Sequence, residues 1–347
     1  MIRSRIFSRA LRGPLYFQVR TYTSQPLREI LYAFDPVTAT SAPGHSDHLS
    51  FLNPSAVSER EEFQHVNPIR PATRGVPWPT SFPGALESRY WAEAEEVARH
   101  FAQTALTDNL PKGENTKYLD AAVDSAVSFA VYATPMGGLA RMKILAKAYV
   151  LLFMHDDSAN RGYYVLAKEV LSEGSPAIGQ RLLDGILSWA SQTTKSRPDH
   201  FSSLEDYMAH RVEDVGAYPI FRTVEFACGV HLSQAYVHAL YHLQSLCAKH
   251  FLLTNDLYSY AKEAVAEQTN GKPLFNAVRV VQDLMCVSVP SAKAILRYAI
   301  RDMEQSIGQE YKRLVETKPN PSQLVFARGL VAAIAGNIFF SATSGRT

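Results

Sequence analysis

Helical periodicity is the feature of this sequence that most limits its fold. From Ala85 onward, apolar residues recur at spacings of three and four, and that spacing places them on one face of an α-helix. Pro and Gly residues separate the periodic segments, and no segment alternates as a strand does. The segments are 86–106, 117–134, 138–155, 163–173, 176–193, 203–228, 231–267, 275–285, 290–317 and 321–342. They predict an all-α bundle of about ten helices, in which ligand chemistry takes place between facing helices.

The segment that contains residues 246–266 carries a row of oxygen-bearing side chains. Asn255, Ser259 and Glu263 are spaced four residues apart, so a helix stacks them along one face. The flanking residues are largely apolar, without Pro or Gly, which predicts a buried helix whose polar row needs a partner. Amide, hydroxyl and carboxylate oxygens form a hard ligand set that suits Mg²⁺ rather than zinc. The competing interpretation is a row of polar residues that faces solvent.

Two adjacent carboxylates, Asp156 and Asp157, follow the strongly apolar helix predicted over residues 142–154. Adjacent negative charges in an apolar setting raise each other's pKa unless a cation lies between them. An acidic turn in solvent is the alternative. The position of the pair at the end of a buried helix favours a second set of metal ligands.

Together, the two motifs resemble the metal-binding motifs of class I terpene synthases. The second matches the pattern (N/D)D(L/I/V)xSxxxE at every specified position, and the first reads DDxxN, with Asn160 where many members carry a third acid. From about residue 82 onward the chain is similar to the fungal trichodiene-synthase-like group, in which a Pro-Lys pair, here Pro111-Lys112, precedes an apolar helix. The resemblance implies a class I terpenoid synthase helical bundle around a central active-site cavity.

The resemblance also implies which residues bind the metal and the substrate. Three Mg²⁺ ions are expected, held by Asp156, Asp157, Asn255, Ser259 and Glu263. Arg211 stands 44 positions before Asn255 and is expected to bind the diphosphate of a prenyl diphosphate substrate. Lys262 and Arg346 are expected to contact the same diphosphate. The family ends in an Arg-Tyr pair, and here Thr347 replaces the tyrosine.

A helix break is predicted at Val215 and Gly216. Pro219 has no N–H to donate to the carbonyl of Val215, and Gly216 loosens the same turn. In the family, a carbonyl freed at such a break helps to trigger ionisation of the substrate. A kink with only a packing role is the alternative.

Aromatic rings near the ligands are expected to stabilise a carbocation. The first candidates are Phe153 and Phe251, which lie about one helical turn before the two ligand motifs. Three further candidates lie on predicted apolar helices: Phe129, Tyr132 and Phe339. For each of these rings, plain core packing is the alternative.

The implied activity is Mg²⁺-dependent ionisation and cyclisation of farnesyl diphosphate to a sesquiterpene, with release of diphosphate, by a carbon–oxygen lyase of secondary metabolism. Two alternatives remain. A prenyltransferase of the same fold would need a second aspartate-rich motif, and this chain has the Asn-Ser-Glu motif in its place. A non-catalytic helical scaffold with a vestigial site is consistent with Asn160 and Thr347.

The composition of the chain fits this interpretation and argues against nucleic-acid binding and against a membrane span. The chain has 347 residues, 46% of them hydrophobic, and a net charge of +2, which fits one large domain with an extension. No basic patch indicates nucleic acid, and no apolar run reaches the roughly 18 residues of a membrane span. The three cysteines, Cys228, Cys247 and Cys286, lack metal-type spacing and are expected to be reduced. A monomer or a homodimer is expected.

The N-terminal part has a different composition. Residues 1–28 contain six Arg and no acidic residue, which is typical of a targeting leader. Enzymes of this group are generally cytosolic, so a cytoplasmic location is expected, with mitochondrial import as the alternative. Residues 29–84 are rich in Pro and Ser with weak periodicity and are expected to form a poorly ordered extension. The predicted enzyme domain therefore covers residues 85–347.

Overall fold

The computed structural model describes residues 26–37, 44–105, 115–154, 159–192, 198, 200–271 and 274–344. Most of this chain is helical, and the predicted all-α bundle is confirmed. The helices are α1 Pro54–Ser58, α2 Trp91–Ala105, α3 Asn115–Ala133, α4 Leu139–Met154, α5 Ala159–Ser172, α6 Pro176–Gln192, α7 Leu204–Asp214, α8 Ala217–Cys228, α9 Gln234–Ala239, α10 Tyr241–Asn270, α11 Ala277–Met285, α12 Val289–Glu316 and α13 Pro321–Thr343. Short 3₁₀ turns at Asp47–Leu52, Glu61–Phe63 and Pro71–Arg74 and the strands β1 Val66–Ile69 and β2 Ala85–Ser88 complete the described secondary structure.

The helix α13 lies at the centre of the bundle, where it packs against α3, α8 and α10. Its N-cap is Asn320, whose side chain forms a reciprocal capping box with Gln323. Every residue from Gly329 to Ala342 is buried. Within the described part of the chain, this one helix is long and apolar enough to cross a membrane, and 78% of its most apolar window is buried inside the bundle. Such burial on all sides is what the central helix of a bundle requires.

Two segments predicted as single helices are each divided in the structure. The segment 203–228 consists of α7 and α8, which are separated at Val215 and Gly216, in agreement with the predicted break. The segment 231–267 consists of α9 and α10, and Leu240 joins them. Apolar spacing continues across both junctions, so periodicity alone did not reveal the second one.

The expectation of a poorly ordered segment is wrong for residues 44–84. Phe51, Phe63 and Phe82 are buried in the hydrophobic core. The strand β1 pairs antiparallel with β2, with Val66 opposite Ser88. The buried carboxylate of Glu304 on α12 accepts hydrogen bonds from Thr80 Oγ1 at 2.6 Å, Ser81 N at 2.6 Å and Ser81 Oγ at 2.8 Å. The boundary predicted at residue 85 therefore cuts through a packed unit.

Residues 26–37, here called the N-terminal strap, are also attached to the bundle. The backbone N–H of Arg28 donates to Glu87 Oε1 at 3.1 Å, and its guanidinium pairs with Asp124. The backbone N–H of Phe34 donates to the carbonyl of Ala342 on α13 at 2.9 Å. Asp35 pairs with Arg297 on α12. The residues 26–28 of the predicted leader thus belong to the folded unit.

Candidate active site

A cavity of about 400 Å³ lies between α3, α4, α8, α10 and α13. Its lining is mostly apolar and aromatic, with polar side chains concentrated on α10. The lining residues are Phe129, Tyr149, Leu152, Phe153, Val215, Gly216, Pro219, Ile220, Phe251, Asn255, Tyr258, Ser259, Lys262, Glu263, Phe340, Ser341 and Ser344. An apolar pocket with a few convergent polar groups is the usual form of a small-molecule site.

The predicted polar row of α10 faces this cavity. Asn255, Ser259 and Glu263 all line it. The Ser259 hydroxyl donates to Glu263 Oε1 at 2.7 Å, and the side-chain amide of Asn276 donates to Glu263 Oε2 at 3.1 Å. Burial raises the pKa of Glu263, and the nearby charge of Asp256 raises it further. The alternative of a row in open solvent is therefore wrong for these side chains.

The chemistry of this row fits a hard divalent cation. Burial and the charge of Asp256 disfavour the ionised form of Glu263, whereas the hydrogen bonds from Ser259 and Asn276 and the charge of Arg211 favour it; a bound cation would favour it further. Hydroxyl, amide and carboxylate oxygens converge on one wall, which is the donor set that Mg²⁺ prefers. Among the described residues, no three acidic, His or Cys side chains form a cluster of metal ligands. The donor set on this wall therefore combines one carboxylate with an amide and a hydroxyl.

The predicted partner motif lies at the end of α4. This helix runs to Met154, and its residues Leu152 and Phe153 line the cavity. Asp156 and Asp157 lie outside the described residues. The diphosphate contact Arg346 also lies outside them, whereas Ser344, two positions before it, lines the cavity.

Of the two other predicted diphosphate contacts, Lys262 lines the cavity and Arg211 is not among the described lining residues. The Arg211 guanidinium binds Asp256 Oδ1, with Nη2 at 3.0 Å and Nε at 3.3 Å, and also pairs with Asp214. Its side chain is 11% exposed and lies over the ring of Phe275, 5.5 Å from the centroid. In this conformation the Arg211 guanidinium is held in a buried ion pair beside the cavity.

The buried Asp256 is a residue that sequence reasoning missed. Its carboxylate is fully buried, accepts hydrogen bonds from the Tyr207 hydroxyl and from Ala277 N at 2.9 Å, and pairs with Arg211. It therefore joins α10 to α7 and to the start of α11. Asp256 occupies the second position of the motif pattern, but only its partners on α7 and α11 reveal that its carboxylate is bound away from the cavity wall.

The predicted helix break borders the cavity. Val215 is the C-cap of α7, and Gly216, with φ of 73°, is the N-cap of α8. Pro219 lies in the first turn of α8, where its missing N–H costs nothing, so the chain is interrupted by Gly216 rather than kinked by Pro219. Val215, Gly216 and Pro219 all line the cavity, so the break itself borders the cavity.

The structure divides the aromatic candidates into two groups. Phe129, Phe153 and Phe251 line the cavity. Tyr132 and Phe339 are not among the described lining residues and pack against each other at a centroid distance of 4.8 Å. Those two candidates are therefore wrong as cavity rings.

Sequence reasoning missed three cavity rings, which are Tyr149, Tyr258 and Phe340. Helical spacing could have found Tyr149, since it lies four residues before Phe153 on α4. Phe340 is adjacent to Phe339, and the two side chains point about 100° apart on the helix. Periodicity cannot decide between such neighbours on α13, because this helix is buried on all sides.

Known proteins with similar sequences are terpene cyclases. The family described as "Terpene synthase family 2, C-terminal metal binding" matches residues 140–306. The chain is 29% identical to Terpene cyclase 6 of Gibberella fujikuroi, over 92% of this chain and 95% of that protein. It is 26% identical to Terpene cyclase aneC of Aspergillus aculeatus, over 95% of this chain and 84% of that protein.

The fold has a counterpart among solved structures. Aristolochene synthase from Penicillium roqueforti matches with a TM-score of 0.66 and 18% identity, over 78% of this chain and 100% of that chain. At this identity the likeness concerns the fold, and it confirms the helical bundle that the resemblance implied.

Proposed function

Because the chain belongs to the class I terpene synthases, we propose that it ionises and cyclises farnesyl diphosphate to a sesquiterpene with release of diphosphate. One observation carries the proposal. The oxygen ligands Asn255, Ser259 and Glu263 and the amine of Lys262 share a single cavity with aromatic rings. The polar wall suits a metal-bound diphosphate, and the apolar remainder suits a prenyl chain.

The metal requirement follows from the donor set. Asn255, Ser259 and Glu263, with Asp156 and Asp157 from the other motif, would hold Mg²⁺, and three ions are expected. When bound, Mg²⁺ supplies positive charge that offsets the negative charge of the departing diphosphate. Lys262 binds the same diphosphate as a donor.

The remaining residues of the cavity control the carbocation. The helix break borders the cavity, and the Val215 carbonyl, to which Pro219 has no N–H to donate, is expected to favour positive charge on the allylic carbon. The rings of Phe153 and Phe251 each stabilise a nearby cation by about 0.5–2 kcal/mol. The apolar lining excludes water, which would otherwise end the reaction early. A hydrocarbon product is expected when the final cation loses a proton, or an alcohol if one water adds to that cation and the adduct loses a proton.

The cavity has a volume within the range of small-molecule sites, which is compatible with the proposed C15 substrate. Ligand pockets in proteins measure about 300–1,000 Å³, and at about 400 Å³ this cavity lies near the lower limit. The resemblance to the trichodiene-synthase-like group favours the same chain length. The metal motifs themselves bind only the diphosphate and do not distinguish chain lengths.

The test compares kcat/KM for the C10, C15 and C20 diphosphates with Mg²⁺, with products identified by gas chromatography and mass spectrometry. The proposal expects the highest value for the C15 substrate and a cyclic C15 product. Adding isopentenyl diphosphate tests for chain elongation, and a longer prenyl diphosphate as product would instead indicate a prenyltransferase. A clear preference for C10 or C20 would contradict the farnesyl assignment.

A further inference from the structure

Four aromatic rings close one end of the cavity. On α10 the lining residues extend from Phe251 to Glu263, a distance of about 18 Å along the helix axis. Phe251 is thus the lining residue of α10 that lies furthest from Glu263. Phe129 packs edge-on against Phe251, with ring centroids 6.0 Å apart. Phe129 therefore lies at the end of the cavity away from the Glu263 ligand.

Phe129 is also the centre of this aromatic cluster. Its ring makes edge-to-face contacts with Tyr149 at 4.9 Å and with Phe340 at 5.1 Å, in addition to the contact with Phe251. It is 4% exposed, and Tyr149, Phe251 and Phe340 are buried as well. Rings from α3, α4, α10 and α13 thus meet at one point, which we call the floor cluster: Phe129, Tyr149, Phe251 and Phe340.

A buried hydrogen bond fixes one member of the floor cluster. The Thr223 hydroxyl donates to the carbonyl of Ile220 at 2.6 Å, so its oxygen is left to accept from the Tyr149 hydroxyl, 2.5 Å away. Both side chains are about 1% exposed, and burial raises the pKa of Tyr149. Tyr149 cannot swing aside without leaving a buried donor unsatisfied, and its ring in turn supports Phe129.

We infer that Phe129, supported by Tyr149 and its hydrogen bond to Thr223, sets the upper limit on the length of the prenyl chain. A chain of three isoprene units ends against this ring, and a fourth unit would have to occupy the volume of the ring itself. Apolar pockets discriminate about 10–200-fold for a single methylene, and an isoprene unit is larger. The inference rests on the proposed function, since it assumes that the diphosphate binds at Asn255, Ser259 and Glu263.

The experiment measures kcat/KM for the C15 and C20 diphosphates in the Phe129→Leu variant of the full chain. The expected result is a rise of about tenfold or more in the C20-to-C15 ratio. The matched control is Phe339→Leu, the same change at a ring that is 1% exposed and is not among the described residues of the cavity. Its ratio is expected to equal that of the wild type, because damage to the fold lowers both rates alike.

A conservative variant keeps the test decisive if Phe129→Leu does not fold. Tyr149→Phe retains the ring and releases it from Thr223, and we expect a smaller rise in the C20-to-C15 ratio, about threefold. Folded variants with an unchanged ratio would overturn the inference while leaving a C15-selective enzyme. A wild-type preference for C20, by contrast, would overturn the farnesyl assignment itself, so the two failures are distinguishable.

Discussion

The hydroxyl of Ser259 lies 2.7 Å from Oε1 of Glu263, one helical turn further along α10. Asn276, from the start of α11, fixes the other carboxylate oxygen at 3.1 Å. Two of the expected oxygen ligands are thus already adjacent, and the carboxylate is oriented by a group outside the helix. Such orientation of ligands by neighbouring hydrogen bonds is common in metal sites.

Glu263→Gln is expected to lower diphosphate release by about 100-fold or more, because it removes the charge of a proposed metal ligand while preserving its shape. The control is Glu267→Gln, one turn further along the same helix, where the carboxylate pairs with Arg279 at 2.8 Å and is not among the described lining residues. The measurement is diphosphate release with Mg²⁺, and EDTA is expected to abolish it in the wild type. Equal activity in the two variants, or turnover in EDTA, would argue against the metal site.

The polar row could be predicted from sequence because it depends only on helical spacing. Asn255, Ser259 and Glu263 share a face in any helix that contains them. The behaviour of Arg211 could not be predicted in the same way. Its pairing with Asp256 depends on the angle between α7 and α10, which no local pattern encodes.

Asp256→Asn is expected to destabilise the fold by about 3 kcal/mol, because it leaves the Arg211 guanidinium partly buried without its main counter-charge. Urea unfolding followed by circular dichroism measures the free energy of unfolding. Asp283→Asn is the control, since Asp283 is an exposed residue on the adjacent helix α11 and its variant should match the wild type. A stable Asp256→Asn variant would show that this ion pair does not contribute to stability.

Glu87 is expected to make stability depend on pH. Burial raises its pKa from 4.5 to about 7, against the opposing effects of the Arg28 N–H, the Tyr132 hydroxyl and the charge of Arg74. Between these two pKa values the folded state holds a proton that the unfolded state has lost, so stability falls as pH rises through this range. Over the whole range the loss is about 3 kcal/mol.

Glu87→Gln removes this titration. Unfolding by urea at pH 5 and pH 8 is expected to show the wild type losing stability relative to the variant as pH rises. Parallel behaviour of the two proteins would mean that the folded-state pKa of Glu87 is close to its ordinary value.

The N-terminal part of the fold was mispredicted for a physical reason. Phe51, Phe63 and Phe82 lie in 3₁₀ turns and loops, so their burial produces no regular spacing. The Pro and Ser content of this region is typical of disordered segments. The contacts that order it are made with residues distant in sequence, such as Glu304 on α12. The spacing of apolar residues in a sequence therefore predicts amphipathic helices well, whereas it predicts packed loops poorly.

Two truncations test the N-terminal strap. Removal of residues 1–25 keeps the contacts of Arg28, Phe34 and Asp35, and we expect an unchanged melting temperature and turnover. Removal of residues 1–37 leaves Arg297, which is 2% exposed, without the Asp35 carboxylate, and we expect the melting temperature to fall by about 5 °C. Equal melting temperatures for the two truncated proteins would show that the strap does not stabilise the bundle.

Gly216→Ala tests whether the helix break takes part in the reaction. Gly216 has φ of 73°, a left-handed conformation that costs a residue with a Cβ about 1–2 kcal/mol. Gly271 ends α10 with φ of 64° and has no atoms within 4 Å of a Cβ placed there, so Gly271→Ala is a matched control with the same conformational cost. Both variants are expected to lose similar stability in urea unfolding.

Their kinetics are expected to differ. Gly216 and Val215 line the cavity, so a shift of this turn moves the Val215 carbonyl relative to the substrate, and we expect kcat for farnesyl diphosphate to fall about tenfold in Gly216→Ala. Positioning errors of this kind lower the rate of the chemical step far more than they affect binding. In Gly271→Ala, kcat is expected to stay within twofold of the wild type, roughly the range of a surface change. If kcat were the same in both variants, the break would have only a packing role.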